Sequence, residues 1–188
     1  MLPDGYAIRE LALDDAPALA EAYRRNRAHL DPWEPARLES FFTEQGQTAA
    51  IVGQLAAVRS GILGAWLLLH GDRVVGRVNL NNIVLGVLRS GSLGYWVDAE
   101  HLGRGLARGG VEHVCEWALA HGLHRVEAGT MLHNAASQRV LAACGFEDYG
   151  LAPGFLFIDG AWQDHRLYQR LLHDRPLDLD RRRWGTPA

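Results

Sequence analysis

The chain has 188 residues, with 22 acidic against 19 basic side chains and a formal net charge of −3, so no global electrostatic attraction draws it to nucleic acid or to an anionic membrane surface. Apolar residues make up 48 % and charged residues 22 %, the balance of an ordinary globular protein, and the length suits a single domain with one sizeable core. The two cysteines, Cys115 and Cys144, are too few for a disulfide framework and too far apart for a zinc or redox pair. The most apolar stretch, residues 62–69, is strand-sized and far short of a bilayer span. The first residues carry Asp4 and show no basic segment leading into an apolar one, so no secretory signal is expected. These features predict a reduced, cytoplasmic setting without membrane or nucleic-acid partners.

Residues 6–11 read as an opening strand. Asp14 or Asp15 can then cap a helix with Pro17 in its first turn and Ala16, Leu19, Ala20 and Tyr23 on one face. After the breakers Pro32 and Pro35, the recurrence of Phe41, Gln45, Thr48, Val52 and Leu55 predicts a second helix over residues 38–59. Residues 62–70 form a buried strand, Gly71-Asp72-Arg73 a turn, and Val74, Gly76, Val78 and Leu80 alternate with Arg77, Asn79 and Asn81 in the strand that completes a hairpin. A glycine-punctuated loop, residues 86–91, leads to a strand with Leu93, Tyr95 and Val97 on one face, ended by Asp98. From about Gly105 the residues Ala107, Val111, Val114 and Ala118 trace a helix that stops near Gly122. Residues 124–131 are the next strand, and Ser137, Val140, Leu141 and Cys144 are the stripe of a short helix closed by Gly145. Residues 146–158 and 162–172 are two last strands around Asp159-Gly160. The tail from His173, with Arg181-Arg182-Arg183, has no apolar period and is expected to be partly disordered. Residues 1–172 are then one domain and residues 173–188 its tail, in the order β-α-α-β-β-β-α-β-α-β-β.

The segment Leu102-Gly103-Arg104-Gly105-Leu106-Ala107-Arg108-Gly109 lies between a predicted strand and a predicted helix. Glycines there let the backbone take positive φ and turn N–H groups toward one point, and the following helix adds its positive end, so the natural guest is an anionic phosphate. Arg104 and Arg108 can add charge. The Gly-Lys-Ser/Thr ending of the nucleotide P-loop is absent, and the dinucleotide fingerprint fails where its third glycine is replaced by Arg108, although Glu127 lies at a suitable distance for its ribose acid. By itself the spacing fits both a phosphate cradle and a plain connecting turn.

Residues 94–146 resemble the acetyl-CoA-binding half of the GNAT acetyltransferases. That family's pyrophosphate loop, Gln/Arg-x-x-Gly-x-Gly/Ala, maps onto Leu102, Gly105 and Ala107, with Leu102 departing from the first position. Asn134-Ala135-Ala136-Ser137, Leu141 and Gly145-Phe146 resemble the family's Asn-x-x-Ser and Gly-Phe elements at the same spacing. Asn26-Arg27, Leu30 and Pro32-Trp33 resemble the N-terminal signature of the subgroup that includes the RimJ and RimL ribosomal-protein N-terminal acetyltransferases, which often continues with Leu or Met and a second Trp where this chain has Glu34-Pro35-Ala36. The resemblance implies an α/β (α+β) fold: a mixed, strongly twisted central β-sheet flanked by helices, with the cosubstrate acetyl-CoA entering where the sheet splays. It implies that amides from about Arg104 to Gly109 hold the pyrophosphate. The cofactor contacts it implies are Trp96, Val97, Leu102, Gly103, Arg104, Gly105, Leu106, Ala107, Arg108, Gly109 and Asn134. A homodimer is implied by resemblance only.

Acetyl transfer to an amine needs a held thioester, a neutral amine, a polarised carbonyl and a proton for the departing thiolate. The resemblance assigns carbonyl polarisation to a backbone N–H of the strand ending near Trp96 to Asp98, and proton supply to Ser137 beside the contact residue Asn134. A Ser and an Asn in a first helical turn are equally ordinary capping residues. On the acceptor side, Trp33 after a proline suits a groove wall, while Glu34 and Glu39 can attract a cationic N-terminus. Glu127, Asp164 or His165 can relay a proton. An α-amine is far easier to neutralise than a lysine, yet the acceptor remains either a protein N-terminus or a small amine such as an antibiotic, polyamine or amino acid. A CoA-binding sensor that keeps the fold without turnover is the reading from another class. Nine histidines show no His-Glu-x-x-His and no ligand cluster, so no metal is expected. Cys144 reads as a buried small hydrophobe.

Overall fold

The computed structural model describes residues 1–176. The chain runs β1 (Tyr6–Glu10), α1 (Ala16–Leu30), α2 (Glu44–Arg59), β2 (Gly64–His70), β3 (Arg73–Val84), β4 (Ser90–Val97), α3 (Leu106–Ala120), β5 (Arg125–Met131), α4 (Ala135–Ala143), β6 (Glu147–Ile158) and β7 (Ala161–Leu171). This is the element order that the sequence predicts. The seven strands form one sheet, ordered β1-β2-β3-β4-β5-β7-β6, in which every neighbouring pair is antiparallel except β4 with β5. The predicted tail lies, beyond Pro176, outside the described residues.

The two faces of β2 explain its continuous apolar sequence. Trp66 and Leu68 pack with Val78 and with Val111, Val114 and Ala118 of α3, whereas Ala65, Leu67 and Leu69 pack with Leu19, Ala22 and Tyr23 of α1 and with Ile51 of α2. A strand buried on both sides has no polar alternation to show. Helix α3 lies close on the sheet, and a Cβ on Gly110 would stand 2.6 Å from Val78 Cγ2.

Two local expectations are corrected. Asp15 occupies the N-cap position of α1 but makes no side-chain cap. Its carboxylate instead grips Arg9 (2.8 and 2.5 Å) and accepts the Ala12 N–H (2.7 Å), because it points back toward β1. The helix expected over residues 38–59 is broken into a 3₁₀ turn, Glu39–Phe42, and α2. Thr43 between them is extended and caps α2 by accepting the Gly46 N–H at 3.1 Å. The Gly46 backbone presses on the turn so closely that a Cβ would lie 1.8 Å from the Ser40 carbonyl oxygen.

β4 ends on Asp98, which is fully buried. Its carboxylate accepts from Arg25 Nε of α1 at 2.8 Å and from the Glu100 N–H at 2.9 Å. Asn26 Oδ1 takes the Ala99 N–H at 2.9 Å, so α1 holds the tip of β4 through both residues. Burial works to raise the pKa of Asp98, but the bonds from Glu100, Asn26 and Arg25 more than offset it and hold the carboxyl below its ordinary value. Asp15 follows the same pattern, with burial outweighed by Arg9 and Ala12. A carboxylate whose folded pKa is depressed contributes stability that is complete above the unfolded value and is lost as pH falls through the folded one. Unfolding followed by circular dichroism is therefore expected to steepen below about pH 4. Asp98→Asn is expected to lower the melting temperature at neutral pH and to flatten this acid limb. An acid limb identical to wild type would refute the assignment.

Candidate active site

The only parallel pairing among the described residues covers three residue pairs, Ser90↔Arg125, Gly91↔Val126 and Ser92↔Glu127. Beyond them the strands part, β4 following β3 to Val97 and β5 following β7 to Met131. The Asp98 N–H bonds to the Val75 carbonyl at 2.8 Å. Because antiparallel pairs alternate in which side their backbone groups face, Trp96 and Gly94 also turn theirs toward β3, while Leu93, Tyr95 and Val97 turn theirs into the gap. An open strand edge of this kind wants a partner. Two strand glycines flank the gap on the face shared with α1: Gly94, whose nearest neighbour for a Cβ is Asn81 at 3.6 Å, and Gly129, whose nearest is Phe155 at 3.5 Å. Their missing side chains leave a bare platform on which a ligand backbone can approach.

At the upper end of β4 the glycine turn opens. Gly103 (φ +71) and Gly105 (φ +79) are both left-handed, and a Cβ on either would meet nothing within 4 Å. Gly105 is the N-cap of α3 and no side chain caps the helix, so its first N–H groups are left for an outside acceptor. Leu102, Gly103, Arg104, Gly105 and Arg108 are exposed, Ala107 is half-buried, and Leu106 and Gly109 are buried anchors. A cleft of about 350 Å³ lies against this turn, lined by Met1, Pro3, Gly105, Arg108, Gly109, Glu112 and Glu116.

Below the gap, Asn134 is the N-cap of α4, its Oδ1 accepting the Ser137 N–H at 3.0 Å. Ser137 Oγ is hydrogen-bonded to the Tyr95 hydroxyl at 2.8 Å, which joins α4 to β4 across the gap. Burial pushes the Tyr95 phenol up to about 12 against the opposing pull of the Ser137 bond. Thr130 of β5 is 3 % exposed, and its hydroxyl has no partner among the described residues. The loop after α1 crosses the open end, where the Trp33 ring lies 5.3 Å from that of His133, next to Asn134. At the next residue, Glu34, burial raises the carboxyl pKa, partly opposed by Arg37 and Arg77.

The chain matches the family model described as acetyltransferase (GNAT) domain over residues 7–147. The protein belongs to the GNAT acetyltransferases. It is 33 % identical over 167 residues to the ribosomal protein uS5-alanine N-acetyltransferase of Escherichia coli (strain K12), a match covering 87 % of this chain and 86 % of the relative. It is 31 % identical to the probable N-acetyltransferase YjcK of Bacillus subtilis, covering 85 % and 90 %. The solved structure of ribosomal-protein-S5-alanine acetyltransferase from Vibrio fischeri superposes with a TM-score of 0.89 at 32 % identity, covering 94 % of this chain and 98 % of that one. Mycobacterium smegmatis RimJ in complex with CoA-disulfide gives 0.84 at 30 %, covering 88 % and 81 %.

The acetyltransferase uses acetyl-CoA, and the residues around the gap fit it: an open strand edge for amides, a glycine turn at a helix start without a side-chain cap for phosphates, and a Thr130 hydroxyl with no partner among the described residues. Of the residues singled out from sequence, Val97, the glycine turn, Asn134, Ser137, Trp33 and Glu34 surround the gap. Trp96 does not. Its side chain is buried against α1, donating to Tyr23 OH at 3.2 Å, and its backbone faces β3. The relay candidates are engaged elsewhere: Glu127 takes Ser90, Arg125 and Tyr149, Asp164 takes the Gly154 N–H, His165 bonds the Gln163 carbonyl, and Glu39 pairs with Arg27 at the surface. Tyr95 invites an aromatic-pocket reading from the sequence, as Trp33, Trp66 and Trp96 do, but not its bond to Ser137, and Thr130, Arg77 and the two platform glycines carry no site reading there. The signal for Gly94 and Gly129 was available, since each interrupts a strand.

A phenol at about 12 is neutral throughout the physiological range. Tyr95→Phe is expected to cost about 0.5–1.5 kcal/mol of stability by deleting the bond to Ser137, read as a drop in melting temperature. Spectrophotometric titration of the wild type should show one tyrosine ionising later than the same series in the variant.

Proposed function

We propose that the acceptor is the N-terminal α-amine of a protein, with alanine-initiated chains as the first candidates, and that residues 1–172 are the single domain that carries the reaction. The observation that carries this reading is the gap itself: an unpaired β4 edge facing Ser137, closed at one end by Trp33 and His133 with the desolvated Glu34 next to Trp33 in the chain. Relatives above 30 % identity over most of the chain are named for acetylating ribosomal-protein alanine, and such acceptors are met in the cytoplasm.

In this reading acetyl-CoA lays its pantetheine arm along Leu93, Tyr95 and Val97 as a surrogate strand, and its pyrophosphate on the N–H groups at the start of α3. The Val97 N–H polarises the thioester carbonyl and stabilises the oxyanion that forms when the amine attacks. Glu34 holds the acceptor ammonium and takes its proton, a task within reach because burial has moved its pKa upward and an α-amine titrates near neutrality. The carbon–nitrogen bond forms, the carbon–sulfur bond breaks, and the departing sulfur receives a proton through Ser137. The neutral Tyr95 hydroxyl orients Ser137. Asn134 serves this arrangement by fixing the turn that carries it.

Free-thiol release from acetyl-CoA, measured over a panel of N-terminal peptides and small amines, tests the acceptor. Turnover with alanine-initiated peptides and none with polyamines is expected, and the reverse would overturn the proposal. Ser137→Ala is expected to lower kcat by about 10²-fold while leaving the acetyl-CoA affinity within about twofold. Gly105→Glu places a side chain and a negative charge in the cradle and is expected to abolish the thermal shift produced by acetyl-CoA. An undiminished shift would remove the glycine turn from the binding site.

A further inference from the structure

Arg77 lies on the face of β3 that carries Asn79 and Asn81, opposite the face of Val78 and Leu80 that packs on the sheet core beneath α3. It is 4 % exposed. Its Nε donates to Asn79 Oδ1 at 2.9 Å and its Nη2 to Gln54 Oε1 of α2 at 2.7 Å. Both partners are neutral. No carboxylate among the described residues lies within ion-pair distance of it, and Nη1 makes no hydrogen bond among them. By contrast, the partly buried Arg25 and Arg170 each meet a carboxylate. A buried charge left without a counter-group is costly, so a structure that keeps one has a use for it.

The surroundings say what that use is. Arg77 is paired across the ladder with Trp96, and Asn79 with Gly94, the bare residue at the rim of the gap. The carboxylate that senses its charge is Glu34, which stands beyond hydrogen-bond reach. A cation and a carboxylate that sense each other without pairing, the cation bonded to Asn79 opposite Gly94 at the rim of the gap, match a ligand that carries an ammonium and a carbonyl oxygen on adjacent carbons. We propose that Arg77, through Nη1, binds the carbonyl oxygen of the acceptor's first residue while Glu34 binds its amine, so that the site selects an α-amino acyl group over a bare aliphatic amine. The inference rests on the acceptor reading above and sharpens it. The group recognised is shared by a protein N-terminus and a free amino acid.

The test compares four acceptors with the wild-type enzyme and with Arg77→Met and Arg77→Lys: an alanine-initiated peptide, free alanine, 2-aminopropane, which lacks the carbonyl, and a polyamine. In the wild type, kcat/KM for the peptide is expected to exceed that for 2-aminopropane by about 10²-fold or more. In Arg77→Met the peptide KM should rise about tenfold or more with a smaller change in kcat, the 2-aminopropane value should stay within about threefold, and the thermal shift with acetyl-CoA should be kept. Arg77→Lys, which retains charge without the fork, should fall between the two. Free alanine acetylated as well as the peptide would identify the amino acid as the source of the group, and alanine ignored would identify the protein N-terminus. Either result supports the role of Arg77. Equal loss of peptide and 2-aminopropane activity in Arg77→Met overturns it, as does unchanged discrimination. A wild type that acetylates 2-aminopropane as readily as the peptide overturns it without any variant. A wild type that accepts only the polyamine overturns the acceptor reading itself.

Discussion

The parting of β4 from β5 after Ser92 and Glu127 is the constraint on which the rest depends. Two parallel strands that stayed paired would satisfy each other's backbone groups and leave nothing to bind. Once they separate, each needs support from its other neighbour, and each has it: β4 is laddered to β3 as far as Val97, and β5 to β7 along its whole length. The gap is thus a rigid opening in a continuous sheet and not a frayed end. Leu93, Tyr95 and Val97 present their backbone groups to it in a fixed register, which is the pre-organisation that binding and oxyanion stabilisation require.

Fixing the strand tip is a separate problem, solved from α1. Arg25 reaches Asp98 and the Val74 carbonyl, and Asn26 takes the Ala99 N–H. The helix that lines the acceptor side therefore also sets where β4 ends and where the glycine turn begins. The buried carboxylate of Asp98 is tolerated because hydrogen bonds and a cation outweigh its lost hydration. The position of α1 is passed to the tip of β4 through the contacts at Asp98 and Ala99.

Most of the fold was legible because it is local. The unbroken apolar run of β2 announces burial on both faces, the stripe Val111, Val114 and Ala118 announces α3, and Asn134 three residues before Ser137 announces a cap that the structure contains. The cap of α1 and the continuity of α2 were misread for one reason: Asp15 and Thr43 each had two local uses, and tertiary neighbours decided between them. The site was legible residue by residue, in the glycine turn and in the Asn134 to Ser137 element, but not as pairs. Its pairs join distant segments, Tyr95 with Ser137, Arg77 with Gln54, Trp33 with His133, and no spacing along the chain encodes which strand edge is left open.

The two ends of the gap solve opposite electrostatic problems. At the glycine turn the proposed guest is strongly anionic, and the protein answers with exposed N–H groups and with Arg104 and Arg108 in water, where charge is inexpensive and screening is high. In the proposed reading the guest at the acceptor end is a small cation that must become neutral to react, and the answer is burial. Burial raises the pKa of Glu34 above its ordinary value, and Arg37 and Arg77 reduce that rise without cancelling it. Arg37 is only loosely paired with Glu34, at 3.6 Å, and Arg77 is held on Asn79 and Gln54. In the proposed reading the buried guanidinium meets the carbonyl oxygen of the incoming acceptor, and that contact is what offsets the cost of burying it.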